Sequence, residues 1–496
     1  TNIIIPETNI IIPETNIIIP ETNIIQDNEE EVDLTFIDDF TQVSGVEYFY
    51  NNHKENYIYS NNLGWFEYNQ YNVLINTKKS EPTGLSKYSR DFIVNKIKGY
   101  REKLKPNNPK YTIYSKMITL LIKTINTHTY SCAIISLLKS YYTNNNFDDK
   151  IDNNQNIIAF IDCCWDNTIK QIRPIKRSDY ISKTIQFMYE PSEPESREEI
   201  HKLLWSIWEN TDVINYYLQL KSNSLFGNRD ELFVIMVGSG GNGKGVITTL
   251  ESNAFGCYSM TTENSFMTTA TGSANSTLAN AKGVRNLCIP EPEEVNSIGK
   301  AVSMNAPFIK YITSGDNITT RQLYCESFTY KPFFTPFIQC NVLPDIKNID
   351  KAIIRRVVVI NFPFSFVSNI IETYHRKIDI SLKDKLKNPK IIMSYLNLLF
   401  EYQLKSQTFQ QPEQSKIATS AYIIENNPVE IWSREFLLRE TTEILLKGSD
   451  LKAHYDMNTD IKIPLKAFYR ALSTLNYEKQ EFRGVVHYKN VILKSD

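Results

Sequence analysis

Residues 232–255 read LFVIMV, then GSGGNGKG, then VITTLESNAF. Leu232–Val237 is a short, continuously apolar run with β-branched residues, the composition of a parallel strand buried on both faces. Val246–Phe255 reads as a helix. Between them lie Gly238, Gly240, Gly241, Asn242, Gly243, Lys244 and Gly245. Strand, glycine loop and helix, in that order, make a cradle for phosphate. Glycines let several N–H groups turn toward one anion, the helix N-terminus adds its positive end, and Lys244 reaches the β- and γ-phosphates. The pattern G-x-x-x-x-G-K is complete, but the Ser or Thr that usually follows, whose hydroxyl goes to Mg²⁺, is Gly245 here. The metal must then lean on water, phosphate oxygens and downstream acids. Thr248 and Thr249, one turn on, are weak substitutes.

Working outward, the following apolar runs have the same strand character. Val284–Ile289 ends in Pro290-Glu291-Pro292-Glu293-Glu294, so a strand delivers carboxylates at its C-terminal end. A Mg–nucleotide site needs such groups to order the metal's water shell and to polarise an attacking water. Glu291, closest to the strand end, is the first choice for both the metal and the catalytic role. Phe333–Gln339 is a third strand ending at Asn341, whose amide can bond a γ-phosphate or the attacking water. Asp350–Ile354 leads through Arg355 and Arg356 into a fourth run, Val357–Ile360.

Upstream of the loop, Tyr57–Tyr59, Trp65–Tyr68, Tyr71–Ile75, Asn156–Asp162 and Asp179–Tyr189 read as strands. Arg90–Leu104, Tyr114–Ile125 and Arg197–Trp208 read as helices. Basic residues outnumber acidic ones between Lys78 and Lys123, either as a solvated face or as a surface for a polyanion backbone. Residues 1–25 repeat TNIIIPE three times and then TNII. Pro6, Pro13 and Pro20 forbid a heptad helix, so residues 1–45, repeat plus acidic linker, read as disordered or extended.

Composition bounds the rest. The 496 residues argue for about three folded units, and 54 basic against 56 acidic side chains exclude a chain-wide polycation. Hydrophobic residues at 42% support real cores. Seven scattered cysteines form no C-x-x-C pair, which argues against zinc or a disulfide framework and for a reducing compartment. No apolar run is long enough to span a bilayer. The expectation is a soluble intracellular protein, or part of one, since it begins without methionine.

The ordered set GSGGNGKG (238–245), NLCIPEPEE (286–294), FIKYITSGDNITTRQLY (308–324), FIQCN (337–341) and DKAIIRRVVVINF (350–362) resembles a superfamily 3 helicase. It looks most like the helicase half of the primase-helicases of poxviruses, giant DNA viruses and some phages. NIIAFIDCCWDNTIKQIRP (156–174) is similar to the domain that precedes the helicase, with Asp162-Cys163 where an Asn-Gly turn is usual. The resemblance implies an α/β fold: a P-loop NTPase core with a parallel sheet flanked by helices (201–370), an α+β N-terminal domain (46–200), and a helical segment with a small winged-helix-like module (371–496). It implies ATP and Mg²⁺, a homo-oligomer, hexameric on the family's precedent, and single-stranded or forked DNA as partner, in a viral replication compartment of host cytoplasm or nucleus. Other replication proteins are possible partners; no membrane is. Lys244, with Gly243 and Asn242, would hold the triphosphate, Glu291 would be the catalytic or metal-organising acid, and Asn341 the sensor. Arg355 or Arg356 would be a finger reaching a neighbour's γ-phosphate. Arg321, Tyr324 and Lys331 would touch single-stranded DNA from a pore hairpin by charge and stacking. Two competing readings are a catalytically decayed nucleic-acid-binding scaffold, favoured by Gly245, and another phosphate-loop motor such as a DNA-packaging ATPase. No block of metal-binding carboxylates supports priming.

Overall fold

The computed structural model describes residues 32–77, 82, 84–228, 230–268, 275–291, 303–321, 327–346, 349–405, 408–441, 444–459 and 463–494. The centre is a five-stranded, wholly parallel sheet. Its strands are β1 (Phe233–Val237), β2 (Ser259–Thr261), β3 (Asn286–Ile289), β4 (Thr335–Cys340) and β5 (Val357–Asn361), in the order β5-β1-β4-β3-β2. The register pairs Val237 with both Cys340 and Asn361, so the C-terminal ends of β1, β4 and β5 lie side by side. Ile289 lies opposite Ile338, so β3 stops about two residues short of the end of β4.

The apolar runs are continuous because both faces are covered. Val234, Met236, Val358 and Ile360 point into one core, shared with helices α1 (Pro194–Trp208), α2 (Thr211–Leu225), α3 (Lys244–Phe255) and α5 (Pro389–Leu404). Phe233, Ile235, Val357 and Val359 point the other way, into a core shared with α4 (Ala306–Thr313) and with Tyr422 of α6 (Glu413–Glu425). The alternation follows from the two-residue period of a strand. The expected mixed α/β class and parallel sheet are thus present, with the four anticipated strands within two residues of their expected bounds and Ser259–Thr261 added at the edge.

Two parts of the sequence reading need correction. The acidic stretch before Val46, expected as linker, is folded from Leu34 onward: Thr35–Asp38 and Gln42–His53 are helices. The apolar residues between the acids decide this, since Leu34, Ile37, Val46 and Phe49 are all buried. The repeat itself, residues 1–25, lies outside the described residues. Asp179–Tyr189, expected as a strand, has no strand in it. It pairs through scattered contacts, Ile185 N–H to the Ala159 carbonyl (2.7 Å), Ser182 N–H to Asp152 (2.8 Å) and Phe187 C=O from Ile161 (3.1 Å), rather than in one ladder. Nearby, two three-stranded antiparallel sheets form from Tyr57–Asn76 and Ile157–Arg173. In the second, Arg173 bridges Asp166 and Asp179, each at 2.8 Å.

The last described residues have their own small core around Trp432, Tyr455, Phe468, Leu472 and Tyr488. No helix among the described residues is long and apolar enough to cross a membrane.

Candidate functional site

The loop leaving β1 is shaped by contacts only glycine permits. A Cβ on Gly238 would lie 2.3 Å from Asn242 Nδ2 and 2.7 Å from the Phe362 carbonyl, while Gly241 and Gly243 have φ of +73° and +89°. The left-handed turn at Gly243 opens α3, and Gly243 has no side chain to cap it. Of its first amides, Lys244 N–H bonds Asn242 Oδ1 and Val246 N–H bonds the Gly243 carbonyl (3.1 Å), so it is the positive end of the helix as a whole that faces the loop. Asn242 is buried at 3% exposure, its Oδ1 accepting from Lys244 N–H (3.3 Å) while its Nδ2 has no partner. A buried donor without an acceptor inside an anion cradle is what a bound phosphate would satisfy.

Lys244 is itself buried, and burial pulls its ammonium below the ordinary lysine pKa of 10.5. Its Nζ donates to the Gly238 carbonyl and to Asn341 Oδ1 (3.3 Å). Asn341, one residue past β4, donates its backbone N–H to Glu291 Oε1 and its side-chain Nδ2 to Glu291 Oε2 (2.9 Å). Glu291 stands two residues past β3. Lys244, Asn341 and Glu291, separated by up to 97 positions in the chain, thus form one hydrogen-bonded row at the C-terminal ends of β1, β4 and β3. Glu293 and Glu294 lie outside the described residues.

This row forms one wall of a cavity of about 860 Å³. Glycines 240, 241, 243 and 245 form its floor, and Leu203 and Ile207 of α1 close one side. Beside α1, and tied to it by Arg376 bonding Glu209, a strap after β5 that the sequence reading did not single out adds further lining. Ser365–Val367 and His375–Lys377 pair in parallel, the Phe366 N–H bonds the Gly241 carbonyl (2.8 Å), and Phe366, Ile378, Ile380 and Leu382 line the cavity. Ile378, Ile380 and Leu382 alternate with Asp379 and Ser381 at the period of a strand, yet the chain there turns into a short helix instead of extending a ladder. Polar loop at one end and apolar walls at the other suit a ligand with a phosphate tail and a flat, less polar head.

Among the described residues no three His, Cys, Asp or Glu side chains cluster tightly enough to cage a metal ion. The residues do fit an Mg²⁺ that arrives on a nucleotide and keeps most of its water, with Glu291 as the protein carboxylate. Space beside Gly245 is open, since a Cβ there meets nothing within 4 Å. The Thr248 and Thr249 hydroxyls donate back to the Lys244 and Gly245 carbonyls of α3, at 2.9 and 2.7 Å, and both residues line the cavity.

Comparison with known proteins bears on what this cavity serves. Residues 46–209 match the family described as "D5 N terminal like". "Putative helicase L207/L206" of Acanthamoeba polyphaga mimivirus is 31% identical over 301 residues, 58% of this chain and 30% of that protein. "Putative helicase 184R" of Invertebrate iridescent virus 6 is 26% identical over 397 residues, 70% of this chain and 39% of that protein. This chain resembles the helicase half of the viral primase-helicases. "Putative helicase 022R" of Frog virus 3 is 35% identical over 149 residues, 29% of this chain and 15% of that protein. The helicase-like chain therefore spans well under half the length of these relatives. Among solved structures, the A-form apo structure of the NrS-1 C terminal region aligns over 89% of this chain and 98% of its own, at 9% identity and a TM-score of 0.43.

The remaining predicted residues of this helicase-like chain lie away from the cavity. Arg355 and Arg356 precede β5, so they sit at the other end of a five-residue strand, about 16 Å from the loop. Both bond Glu231, at 2.9 and 2.7 Å, but their surroundings differ. Arg356 is 6% exposed and also donates to the Ala352 carbonyl, while Arg355 is 64% exposed. Arg356 is built into the fold; Arg355 is the arginine presented outward. Ile318–Thr320 and Phe328–Tyr330 form the expected antiparallel hairpin. Arg321 is exposed at its distal end and Lys331 is exposed at its base, so the hairpin separates these two; Tyr324 lies outside the described residues.

Proposed function

We propose that this chain is the ATPase motor of a superfamily 3 type viral DNA helicase, hydrolysing ATP in the cavity between α1, the phosphate loop and the strap. The observation that carries the reading is the Lys244–Asn341–Glu291 row beside a loop whose buried Asn242 Nδ2 has no acceptor. The triphosphate would lie over Gly240–Gly245, with Lys244 Nζ exchanging its bonds to Gly238 and Asn341 for phosphate oxygens. Mg²⁺ supplies charge neutralisation at the β- and γ-phosphates when bound, and Glu291 would orient its water. With both oxygens tied to Asn341, Glu291 is not free to act as a base. An Asn341 side-chain amide that turns to a γ-phosphate would release Oε2 to polarise an in-line water, while the Asn341 backbone N–H keeps Oε1 in place. Positioning and electrostatics then carry the rate.

The exposed Arg355, too far from its own loop, would serve a neighbour's nucleotide in a ring of six, and the Ile318–Tyr330 hairpin would face single-stranded DNA with Arg321. ATP turnover by the purified chain and its Lys244→Ala variant tests the site. The variant is expected to lose at least about 100-fold, the scale for removing a group aimed at developing charge. Turnover at the parental rate would remove Lys244 from the site. DNA binding by the parent chain without any turnover would favour the decayed scaffold that Gly245 invites.

A further inference from the structure

The strap is fastened at two points, and the motor reading makes no use of the second. At the first, the Phe366 N–H bonds the Gly241 carbonyl of the phosphate loop (2.8 Å). At the second, Arg376 grips Glu209 with two bonds, Nε to Oε1 at 2.6 Å and Nη2 to Oε2 at 2.7 Å. Its remaining nitrogen, Nη1, donates to the Thr373 and His375 carbonyls, both at 2.9 Å, and the guanidinium lies 3.7 Å from the Phe364 ring centroid. One group thus closes the strap's own turn and ties it to the end of α1. The two side chains are 27% and 38% exposed, so solvent screens the pair and it adds little to stability. What a two-bonded arginine and carboxylate do supply is a fixed geometry.

Glu209 caps α1 at φ +46°, in the left-handed region. Glycine is the usual residue in that conformation at a helix end, because a Cβ crowds the following carbonyl. A glutamate that accepts the strain brings what glycine lacks, a carboxylate for Arg376. Strained non-glycine residues of this kind gather at ligand sites. Both ends of the staple stand next to side chains that touch the phosphate loop. Ile207 is two residues before Glu209, and Phe366 is in register with Arg376 across the strap's parallel pair. The two meet at one place: a Cβ on Gly243 would lie 3.2 Å from Ile207 Cγ1 and 3.4 Å from Phe366 Cε2. Ile207 and Phe366 line the cavity, whereas Glu209 and Arg376 do not. The end of α1 is pinned independently, since Trp208 Nε1 donates to the Asn361 carbonyl of β5 (3.1 Å). The staple therefore decides where the strap stands, and with it Phe366, Ile378 and Ile380.

We propose that Glu209 and Arg376 are positioning residues for the nucleotide: their staple holds Ile207 and Phe366 together over Gly243 and keeps the strap seated as a wall of the cavity before any ligand arrives. This role rests on the cavity being the triphosphate site, and it names the residues that preorganise one wall of that site. Without the staple, the phosphate loop and Lys244 keep their places, but the nucleotide has to order the strap as it binds. Affinity then falls while turnover at saturation is retained, the pattern of a lost interaction that ground state and transition state share.

Calorimetric titration of the full chain with a non-hydrolysable ATP analogue and Mg²⁺, alongside steady-state ATP turnover, tests this. Glu209→Gly and Arg376→Gln are each expected to raise the dissociation constant and the KM at least about fivefold, the scale of a wall left to be ordered on binding. The kcat of both should stay within about twofold of the parent's. The double variant should lose no more than the weaker-binding single, because both substitutions break the same staple. Glu209→Gly should leave or raise the melting temperature, since glycine relieves the left-handed backbone. Parental affinity in both single variants, additive losses in the double, or a lower melting temperature in Glu209→Gly would overturn the proposal. Lys244→Ala separates it from the motor reading. Analogue binding that Lys244→Ala weakens and the staple variants leave alone would sink the staple only. A parent chain that binds no analogue would sink both.

Discussion

Gly245 is the residue at which this chain departs most from its pattern, and the surroundings say what its absence of a hydroxyl means. A Cβ added there meets nothing within 4 Å, so room is not the reason a serine is missing. Gly245→Ser is expected to lower the Mg²⁺ concentration for half-maximal ATP turnover several-fold, read from magnesium titrations with nucleotide affinity measured alongside. No change in either would mean that the metal's shell is complete without position 245. Lys244 supplies a second test. Burial lowers its pKa in the free chain, and a bound triphosphate stabilises the ammonium and raises it again. In the alkaline window between the two values, binding must take up a proton, so affinity falls as pH climbs through that window and is fully retained below it. Calorimetry in two buffers of different ionisation enthalpy should show that uptake in the parent and not in Lys244→Met. The order of strand, glycine loop and helix was legible because the apolar run, the glycines and Lys244 follow one another at fixed spacing. That Glu291 and Asn341 stand at neighbouring strand tips with Lys244 was expected; that they bond each other directly was not, since a hydrogen bond between residues of different strands leaves no mark along the chain.

At the scale of elements, the phosphate loop rests on α3, and α3 is anchored by an ion pair with no exposure at all. Lys221 Nζ of α2 lies 2.9 Å from Glu251 Oε2, bonds Asn286 Oδ1 at the start of β3 (3.1 Å), and stands 3.3 Å from the Phe337 ring centroid of β4. Tyr217 and Tyr395 donate to the other oxygen of Glu251, at 2.6 and 3.2 Å. Glu251 is seven residues beyond Lys244, on the same side of the helix, so this network fixes the helix axis that aims the loop. Glu251→Ala would strand a buried ammonium and should cost about 3–5 kcal/mol, while Lys221→Met/Glu251→Leu should recover most of it. Thermal melting of the three chains checks the order; a harmless Glu251→Ala would contradict it. Neither residue belongs to a motif along the sequence, and α2 was not among the helices read there, whereas the helix that carries Glu251 was. The strands were readable because burial on both faces forces unbroken apolar runs, and Asp179–Tyr189 misled because it is apolar yet pairs with several partners in turn.

For the whole molecule, the question is how one chain's arginine could complete a site it cannot reach. Arg355 is exposed and at the far end of β5, whereas Arg356 is enclosed between Glu231 and the Ala352 carbonyl. Arg355→Ala should therefore depress ATP turnover with little change in melting temperature, and Arg356→Ala should chiefly destabilise. Mixing Lys244→Ala with Arg355→Ala should raise turnover above that of either variant alone, because some shared sites then pair an intact lysine with an intact arginine. Mixtures no more active than either variant would argue against a site built from two copies. Where a nucleotide sits decides the function of the whole chain. A structure determined with Mg²⁺ and a non-hydrolysable ATP analogue should place the γ-phosphate within hydrogen-bonding distance of Lys244 Nζ and of the Asn341 amide, with the β-phosphate on the amides of Gly241–Gly245 and Glu291 Oε2 released toward water. A triphosphate bound elsewhere, or a loop left empty at saturating analogue while the Lys244–Asn341–Glu291 row stays intact, would contradict the motor reading.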